Sequence, residues 1–367
     1  MKRAVQPVFY CLLAIMLVSA GCTSEAQKEE HSENLFAQRL RVEKLKEWQD
    51  LKYGMFIHYG MSTFLEKDLP DGNAPLDTYA PTDLDVAQWV RVAKEAGMQY
   101  AVLTAKHVAG HCLWPSEYTE YDVENNQDDT DVVGEFVKEC RKQGIQPGLY
   151  YCAYDNHHKF FSLMPGDSRN YSKALITPTE NDKDLVPTPA YTTSLYQNFM
   201  TAQIDELLER YSPLVEFWID IPIILGNGYR KFLYDHITEK YPDMVVVMNH
   251  GQKRSNKGLV FLEDKAWPTD ILTLEKYTSI EPYDPVWTIK GKEIYFPAES
   301  CYPISGKWFW HENDEVKQMD DLVKILEISL DNKINLLLNV PPDKTGQIPE
   351  KWINPLMELK HRIKNEL

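Results

Sequence analysis

An apolar run that ends on an aspartate constrains the fold of this chain more than any other stretch. Leu214 to Ile219 is nearly all apolar, follows Pro213 and comes after a helical pattern, which predicts a buried parallel strand. Asp220 ends the run and so lies at the carboxyl end of the strand. Parallel α/β barrels carry their catalytic groups at that end of their strands. An aspartate there could instead cap a helix, but the apolar residues 221–225 leave no helix start within capping range. We therefore interpret Asp220 as a functional carboxylate.

Strand-like and helix-like patterns alternate along the rest of the chain, without an internal repeat. This alternation predicts an irregular (β/α)8 TIM-like barrel of the α/β class, a single catalytic domain over residues 35–367. A long irregular insertion, Asn156 to Pro189, exceeds a normal connection and is expected to be a binding loop. The eight predicted strands are Tyr53–Tyr59, Tyr100–Ala105, Gln146–Tyr151, Leu214–Asp220, Met244–Asn249, Ile271–Glu275, Glu293–Ala298 and Asn335–Val340.

The first residues of the chain have the pattern of an export signal. Lys2 and Arg3 precede an apolar stretch, Val8 to Ala20, which is too short to span a bilayer. Small residues then lead to Cys22, and the arrangement resembles a bacterial lipoprotein signal. We expect a signal peptide over residues 1–21, lipid on Cys22 and a flexible tether over residues 22–34. The expected location is the periplasm or cell surface, anchored by lipid to the outer membrane; an ordinary signal peptide is the alternative.

The net charge argues against a nucleic-acid partner, and the cysteine spacing argues against a zinc site. The formal net charge is −16, and such a surface repels phosphate backbones, so no nucleic-acid partner is expected. Beyond Cys11 and Cys22, four cysteines remain in no compact pattern, and no C-x-x-C spacing indicates a zinc site. Their pairing stays open, because four cysteines allow three full pairings. They are Cys112, Cys140, Cys152 and Cys301.

Polar residues recur at the carboxyl ends of the predicted strands. A single histidine in a strand is most often a core residue, but two histidines and three carboxylates at one rim favour a functional site. Tryptophans near the same strand ends suit a sugar ring, although each alone could be core packing. The strand-end residues are His58, His107, Tyr151, Asp220, Asn249, Glu275 and Glu299, and the tryptophans are Trp114, Trp218, Trp308 and Trp310.

Several motifs in order along the chain resemble the α-L-fucosidase family of retaining glycoside hydrolases. They cover the chain from about Trp48 to Glu350, so the resemblance does not depend on one short pattern. The fold that it implies is an irregular (β/α)8 barrel. The motifs are W-x-x-x-K-Y-G-M-F-I-H-Y-G from Trp48, Y-A-V-L-T-A-K-H from Tyr100, C-L-W-P-S-E-Y-T from Cys112, G-L-Y-Y from Gly148, F-W-I-D from Phe217 and N-L-L-L-N-V-P-P-D-K-T-G-Q-I-P from Asn335.

The resemblance implies a role for individual residues. Asp220 would be the nucleophile, and Glu275, in a D-x-x-T-x-E pattern that begins at Asp270, the general acid/base. The implied activity is release of terminal fucose from glycans by double displacement, with no metal and no cofactor. Glu299 competes with Glu275 for the acid/base role, or binds a sugar hydroxyl. The residues expected to bind substrate are His58, His107, His111, Tyr151, Trp218, Glu299 and Trp308.

Departures from the family pattern leave the substrate open. The family's usual K-H-H-D-G-F reads K-H-V-A-G-H here, with Val108 and His111 at altered positions, and its N-D-R reads N-H-G from Asn249. A related sugar such as an α-L-galactoside is therefore an alternative substrate. A surface lipoprotein that binds glycans without cleaving them is a second alternative. A metal-dependent hydrolase is a third, which the His157-His158 pair suggests but which lacks an H-x-H on the first strand.

Overall fold

A computed structural model describes residues 38–158, 195–250, 267–276, 283–289 and 291–363. The predicted signal peptide, the tether and Cys22 lie outside the described residues, and so does most of the predicted binding loop. Within the described residues, no helix has the length and apolar character needed to cross a membrane.

Among the described residues, eight parallel strands form the central sheet, which confirms the predicted (β/α)8 architecture. Their order is β5-β4-β3-β2-β1-β10-β9-β6, and each neighbouring pair is parallel. A separate antiparallel hairpin consists of β7 (Val286–Ile289) and β8 (Lys292–Tyr295). The barrel strands are β1 (Tyr53–Ile57), β2 (Tyr100–Lys106), β3 (Gln146–Cys152), β4 (Glu216–Asp220), β5 (Val245–Met248), β6 (Leu272–Glu275), β9 (Ala298–Pro303) and β10 (Asn335–Asn339).

The two outer strands of this sheet, β5 and β6, meet through side chains as well as backbone. The N–H of Asp270 donates to the carbonyl of Val246 at 3.0 Å, and the N–H of Val246 donates to the Asp270 carboxylate at 2.7 Å. Thr269 Oγ1 accepts from the N–H of Met248 at 3.2 Å. These bonds satisfy backbone N–H groups of β5 that a neighbouring strand would otherwise pair. They bring β5 and β6 together, so the barrel is nearly closed.

Helices surround the sheet, and their ends match the capping residues of the sequence. Asp85 and Asp131 accept hydrogen bonds from N–H groups of the first turn that follows each of them. Gly144 ends a helix with a φ of +78°, a conformation that glycine adopts without strain. The helices in the described residues are α1 (Val42–Gln49), α2 (Met61–Leu65), α3 (Val86–Glu95), α4 (Val132–Gln143), α5 (Leu195–Tyr211), α6 (Asn227–Lys240), α7 (Met319–Asp331) and α8 (Glu350–Arg362).

One predicted strand was wrong in its position. The seventh strand of the barrel is β9, Ala298–Pro303, whereas the first half of the predicted segment Glu293–Ala298 lies in β8 of the hairpin and only its last residue belongs to β9. Both segments have apolar residues in alternation, and periodicity alone does not separate a barrel strand from a hairpin strand beside it. As a consequence, Glu299 lies near the start of a strand and not after its end.

Alternation along the strands fills the barrel interior in layers. In β4, residues two apart share a face, so Glu216, Trp218 and Asp220 follow one another from the amino end of the barrel to its carboxyl end. Trp218 packs in an apolar cluster with Phe56 and residues of other strands. Trp48 of α1 joins the same cluster from the amino end. The carboxyl end is left open, and the site lies there.

Candidate active site

A cavity of about 410 Å³ opens at the carboxyl ends of the strands, within the size range of small-molecule sites. It brings together both predicted catalytic carboxylates and four of the residues expected to bind substrate. These six residues are His58, His107, Trp218, Asp220, Glu275 and Trp308.

Asp220 is held at the last position of β4 by two donors. The Tyr150 hydroxyl donates to one carboxylate oxygen at 2.6 Å, and Asn249 Nδ2 donates to the other at 2.7 Å. Burial, together with the nearby Asp220, raises the pKa of Tyr150 well above its usual value. The phenol therefore keeps its proton and remains a donor over the physiological pH range. Together the two bonds fix the orientation of the carboxylate in the cavity.

Glu275 ends β6 on the other side of the cavity and is about one-third exposed. Its Oε2 lies 3.8 Å from Nε2 of His250, which has a φ of +57°. The His250 N–H donates to Thr273 Oγ1 at 3.0 Å, and the Thr273 hydroxyl donates to Asn249 Oδ1 at 2.8 Å. Since Asn249 also donates to Asp220, one amide connects the strands that carry the two carboxylates.

Two imidazoles line the cavity in their neutral form. Burial, followed by the neighbouring His107, lowers the pKa of His58 well below its usual value. Burial lowers the pKa of His107 to about 4, although Asp220 and Asp68 act in the opposite direction. His58 Nδ1 lies 2.7 Å from Asn339 Oδ1, and because an amide oxygen only accepts, Nδ1 carries the proton.

His107 supplies a polar atom that the described protein atoms leave unpaired. Its Nδ1 is buried and has no hydrogen-bond partner among them. The ring stacks on Tyr150, with centroids 5.7 Å apart and planes 19° apart. A buried polar nitrogen without a partner is costly unless a ligand or water satisfies it.

Aromatic rings supply the apolar part of the cavity. Trp218 forms its floor, packed against Phe56 with centroids 5.6 Å apart. Trp308 lies 5.1 Å from His58, with planes inclined by 30°. Its backbone carbonyl accepts from Asn339 Nδ2 at 2.7 Å, which fixes the loop after β9. Lys276 Nζ lies 5.2 Å from the centroid of the Trp308 ring, within cation–π range.

Three residues predicted to bind substrate lie away from the cavity, and Tyr151 is the first. Its hydroxyl accepts from Lys106 Nζ at 2.7 Å and donates to Gln203 at 2.9 Å, in the layer between sheet and helices. Its neighbour Tyr150 faces the cavity instead, because successive residues of a strand point to opposite faces. The G-L-Y-Y motif contains both tyrosines, and only the parity of the strand distinguishes them.

His111 and Glu299 are the other two predicted substrate-binding residues that lie away from the cavity. His111 is buried beside Tyr79, with Nε2 3.3 Å from Asn126 Oδ1, and is not among the residues that line the cavity. Glu299 is fully buried inside the barrel and accepts from Tyr100, the first residue of β2. It therefore lies at the amino end, opposite the cavity, and does not compete with Glu275 for the same space.

Residues that the sequence patterns did not single out also line the cavity. Some lie in loops, and others lie on the strand face that points into the cavity, which the motifs do not reveal. They are Phe56, Asp68, Leu69, Tyr150, His250, Trp267, Lys276 and Cys301. Asn249, one of the predicted strand-end residues, lines the cavity with them.

Further side chains bear on the rival interpretations. Among the described residues, no group of three or more His, Cys, Asp or Glu side chains is placed to hold a metal ion. His157 and His158 instead contact Gly72 and Asp155. The four remaining cysteines are buried and free.

Comparisons with known proteins give the family of this chain. The α-L-fucosidase family model matches residues 73–364. The chain is 30% identical to α-L-fucosidase 1 of Arabidopsis thaliana over 336 residues, which cover 88% of this chain and 59% of the plant protein. It is 28% identical to a rice relative, of which it covers 56%. The chain thus spans less than two thirds of the length of these curated relatives.

Solved structures show the same architecture. A candidate α-L-fucosidase from Bacteroides thetaiotaomicron superposes with a TM-score of 0.68 at 28% identity, covering 89% of this chain and 68% of that protein. Isoenzyme 1 from Paenibacillus thiaminolyticus gives a TM-score of 0.69 at 24% identity, covering 88% and 75%, which shows the shared fold. Because the family model matches most of its length, the chain belongs to the α-L-fucosidase family.

Proposed function

We propose that this protein is a retaining exo-acting α-L-fucosidase that releases terminal fucose from oligosaccharides or glycoconjugates. The observation that carries the proposal is that Asp220 and Glu275, on β4 and β6, face one cavity together with neutral imidazoles and aromatic rings. Family membership supports the same activity. No metal or organic cofactor enters the proposed reaction.

The proposed reaction has two displacements. An Asp220 carboxylate oxygen attacks the anomeric carbon while the glycosidic C–O bond breaks and Glu275 donates its proton to the leaving oxygen. A glycosyl ester on Asp220 results. Glu275, now a carboxylate, then removes a proton from water, whose oxygen attacks the same carbon and releases the sugar and the free Asp220. Two inversions give net retention of configuration.

The cavity residues have distinct roles in this proposal. His58 and His107, both neutral, line the cavity and would bind ring hydroxyls. Trp218 and Trp308 would pack against the apolar faces of the sugar. Because these groups converge on one enclosed side, a terminal sugar fits better than an internal unit of a chain.

The valine at position 108 is the observation that supports a second candidate substrate. The residue is fully buried in the apolar cluster of the barrel, at a position where the resemblance to the family leads us to expect a second histidine. Loss of a donor changes selectivity among sugars that differ in one hydroxyl. An α-L-galactoside is therefore the alternative substrate. A glycan-binding protein without activity would need neither Asp220 nor Glu275, and both are present.

We also propose that the mature protein is a lipoprotein, linked through Cys22 to the outer membrane and exposed to the periplasm or the cell surface. The basic start, the short apolar stretch and the small residues before Cys22 support this proposal. A charged tether would let the barrel reach glycans away from the membrane.

The proposed activity is tested with aryl α-L-fucosides and the matching α-L-galactosides. Wild type is compared with Asp220→Asn and, as a control, with Asp320→Asn. Asp320 undergoes the same chemical change but is 94% exposed and pairs with Arg362 on the surface. We expect turnover of α-L-fucosides by wild type and the control, and none by Asp220→Asn. Equal turnover by all three proteins, or turnover by none, would refute the proposal.

A further inference from the structure

The barrel has a seam between β5 and β6, and the two proposed catalytic carboxylates lie on either side of it. The two strands stand at opposite ends of the sheet order, whereas parallel ladders join the other neighbouring strands. Asp220 ends β4, which pairs with β5, and Glu275 ends β6. The separation of the two carboxylates across the cavity therefore depends on how β6 is held against β5.

Asp270 sets the position of β6 at this seam. Its N–H donates to the carbonyl of Val246 at 3.0 Å, and its carboxylate accepts from the N–H of Val246 at 2.7 Å. One residue of β5 thus bonds twice to Asp270, which comes two residues before Leu272, the start of β6. An extended strand has a nearly constant rise of about 3.3 Å per residue. Fixing Asp270 at one end therefore fixes Glu275 at the other.

Arg39, which precedes α1, holds the Asp270 carboxylate in place. Its Nε donates to Asp270 Oδ1 at 3.1 Å, and its Nη2 donates to Oδ2. The Asp270 side chain is 4% exposed and the Arg39 side chain 20%, so the ion pair is largely withdrawn from water. Such a two-pronged pair is stronger than a single bond and also fixes the orientation of the carboxylate.

The same guanidinium also bonds to the approach to β5 and to α6. Nη1 donates to the Pro242 carbonyl at 2.9 Å, and Nη2 donates to the Met244 carbonyl at 2.8 Å. The Tyr234 hydroxyl of α6 accepts from Nε at 3.2 Å and donates to Asp270 at 2.5 Å. One planar group therefore joins three elements at the seam. Lysine has no such fork of donors and cannot replace these bonds together.

The residues on either side of Arg39 anchor it to the barrel. Leu40 is 2% exposed and packs in the apolar cluster that contains Trp218. Gln38 Oε1 accepts from the N–H of Tyr295, the last residue of β8, at 2.7 Å. The backbone of Arg39 is thus held on both sides, and the guanidinium is presented to the seam from a fixed base.

A second contact carries the position of β6 into the cavity. Thr273 lies between Asp270 and Glu275, and residues two apart in a strand share a face. The Thr273 hydroxyl donates to Asn249 Oδ1 at 2.8 Å, and Asn249 Nδ2 donates to Asp220 at 2.7 Å. A shift of β6 at Asp270 would therefore move Glu275 relative to Asp220 and strain this connection.

We propose that Arg39 is a positioning residue that fixes β6 through Asp270 and so places Glu275 for proton transfer to the leaving group. Arg39 itself does not touch substrate. The proposal rests on the proposed function, since it assumes that Glu275 is the acid/base. A misplacement of about 1 Å costs a reaction about a hundredfold in rate. The loss should fall on the step that needs the proton of Glu275 and spare the attack by Asp220.

The kinetic test compares Arg39→Lys and Arg39→Gln with Arg41→Lys and Arg41→Gln. Arg41 is a matched control, because its side chain is 70% exposed and lies 3.8 Å from the exposed Asp243. For an alkyl α-L-fucoside, whose leaving group needs a proton, kcat/KM should fall about tenfold to hundredfold in the Arg39 variants. For an activated aryl fucoside it should fall about threefold or less. The Arg41 variants should match wild type with both substrates.

Azide provides a further kinetic signature. It attacks the glycosyl-enzyme without help from a base, so it should raise kcat of the Arg39 variants on the activated aryl fucoside. It should leave kcat of wild type and of the Arg41 variants unchanged. A purely structural role of Arg39 would lower the amount of folded enzyme, and then kcat/KM would fall equally for both substrates, with no response to azide.

A second readout does not need activity. Amide hydrogen exchange in residues 270–275 should become faster in the Arg39 variants, with no change in β2 and no change in the Arg41 variants. Equal falls of kcat/KM for both substrates, unchanged exchange in residues 270–275, or loss of the circular dichroism of the fold in both Arg39 variants would overturn the positioning role. Absence of turnover in wild type would instead count against the proposed function, and the exchange data would then decide whether Arg39 holds β6.

Discussion

Asp220 and Glu275 have different surroundings although both are carboxylates in one cavity. Asp220 accepts hydrogen bonds from Tyr150 and Asn249 at both of its oxygens. Glu275 is about one-third exposed, and its Oε2 lies 3.8 Å from Nε2 of His250. A carboxylate fixed by two donors suits a nucleophile with one direction of attack. A carboxyl group with open oxygens suits proton exchange with a leaving group and with water.

Removal of the proposed acid/base separates its role from a structural one. Glu275→Ala should still form the glycosyl-enzyme from an aryl fucoside with an activated leaving group, because that group departs without a proton. The intermediate should accumulate, and azide should restore turnover. Glu299→Ala serves as the comparison, because Glu299 lies inside the barrel, and azide should not affect it. Azide rescue of Glu299→Ala but not of Glu275→Ala would reverse the assignment.

His111 should make the protein less stable in acid. Burial lowers the pKa of His111 to about 4, below the unfolded value of about 6.5. As the pH falls from about 6.5 to 4, the unfolded chain binds this proton and the folded chain does not, so stability falls. The loss should approach about 3 kcal/mol, because one pKa unit corresponds to about 1.4 kcal/mol.

Urea unfolding of His111→Phe at several pH values checks this expectation. The variant loses the bond to Asn126, so its stability at pH 7 is not the informative quantity. Relative to wild type, it should gain stability steadily between pH 6.5 and 4. His361→Phe makes the same change at an exposed helix end and should follow the wild-type pH dependence. Parallel curves for all three proteins would contradict the burial argument.

Individual strands show where sequence reasoning works and where it does not. The strands that end at Asp220 and Glu275 were predicted together with these terminal carboxylates, because the length and the apolar content of each segment both indicate a strand. The G-L-Y-Y motif predicted a substrate contact at Tyr151, whereas Tyr150 lines the cavity, because a motif fixes the presence of a residue and not its face. Glu299 was misplaced because the seventh strand begins later than its apolar pattern indicated.

Two glycines of different surroundings test how tightly β1 and β2 pack inside the barrel. Gly54→Ala would place a Cβ 2.5 Å from the Tyr100 ring, and overpacking of this kind destabilises by about 1–3 kcal/mol. Gly228 lies in α6, and a Cβ there meets nothing within 4 Å. Gly228→Ala should therefore be neutral or stabilise by up to about 1 kcal/mol. Chemical denaturation of both variants measures the difference, and a neutral Gly54→Ala would show that the ring can move aside.

At the scale of the whole molecule, the regular alternation of strands and helices was sufficient to predict the barrel. The closure between β5 and β6 was not predictable, because it depends on the Asp270 carboxylate and the Thr269 hydroxyl bonding to backbone N–H groups. Residue types in a motif do not reveal such local partners.

The proposed lipid anchor is a property of the whole chain and is tested by fractionation of cells. Cys22→Ser removes the thiol that would carry lipid. The variant should lack acyl chains by mass spectrometry and leave the membrane fraction, whereas wild type should stay there. Cys11→Ser is a suitable control, since Cys11 lies in the apolar stretch of the predicted signal. Membrane fractionation of Cys22→Ser that matches wild type would disprove the anchor.

The central claim is that Asp220 attacks the anomeric carbon of an α-L-fucoside. Incubation with a mechanism-based fluorinated fucoside should trap the glycosyl-enzyme, because the fluorine slows its hydrolysis. Peptide mass spectrometry should then find one fluoro-sugar per chain, on Asp220, and none in Asp220→Asn. A label on any other residue, or turnover of α-L-fucosides without a covalent intermediate on Asp220, would contradict the account.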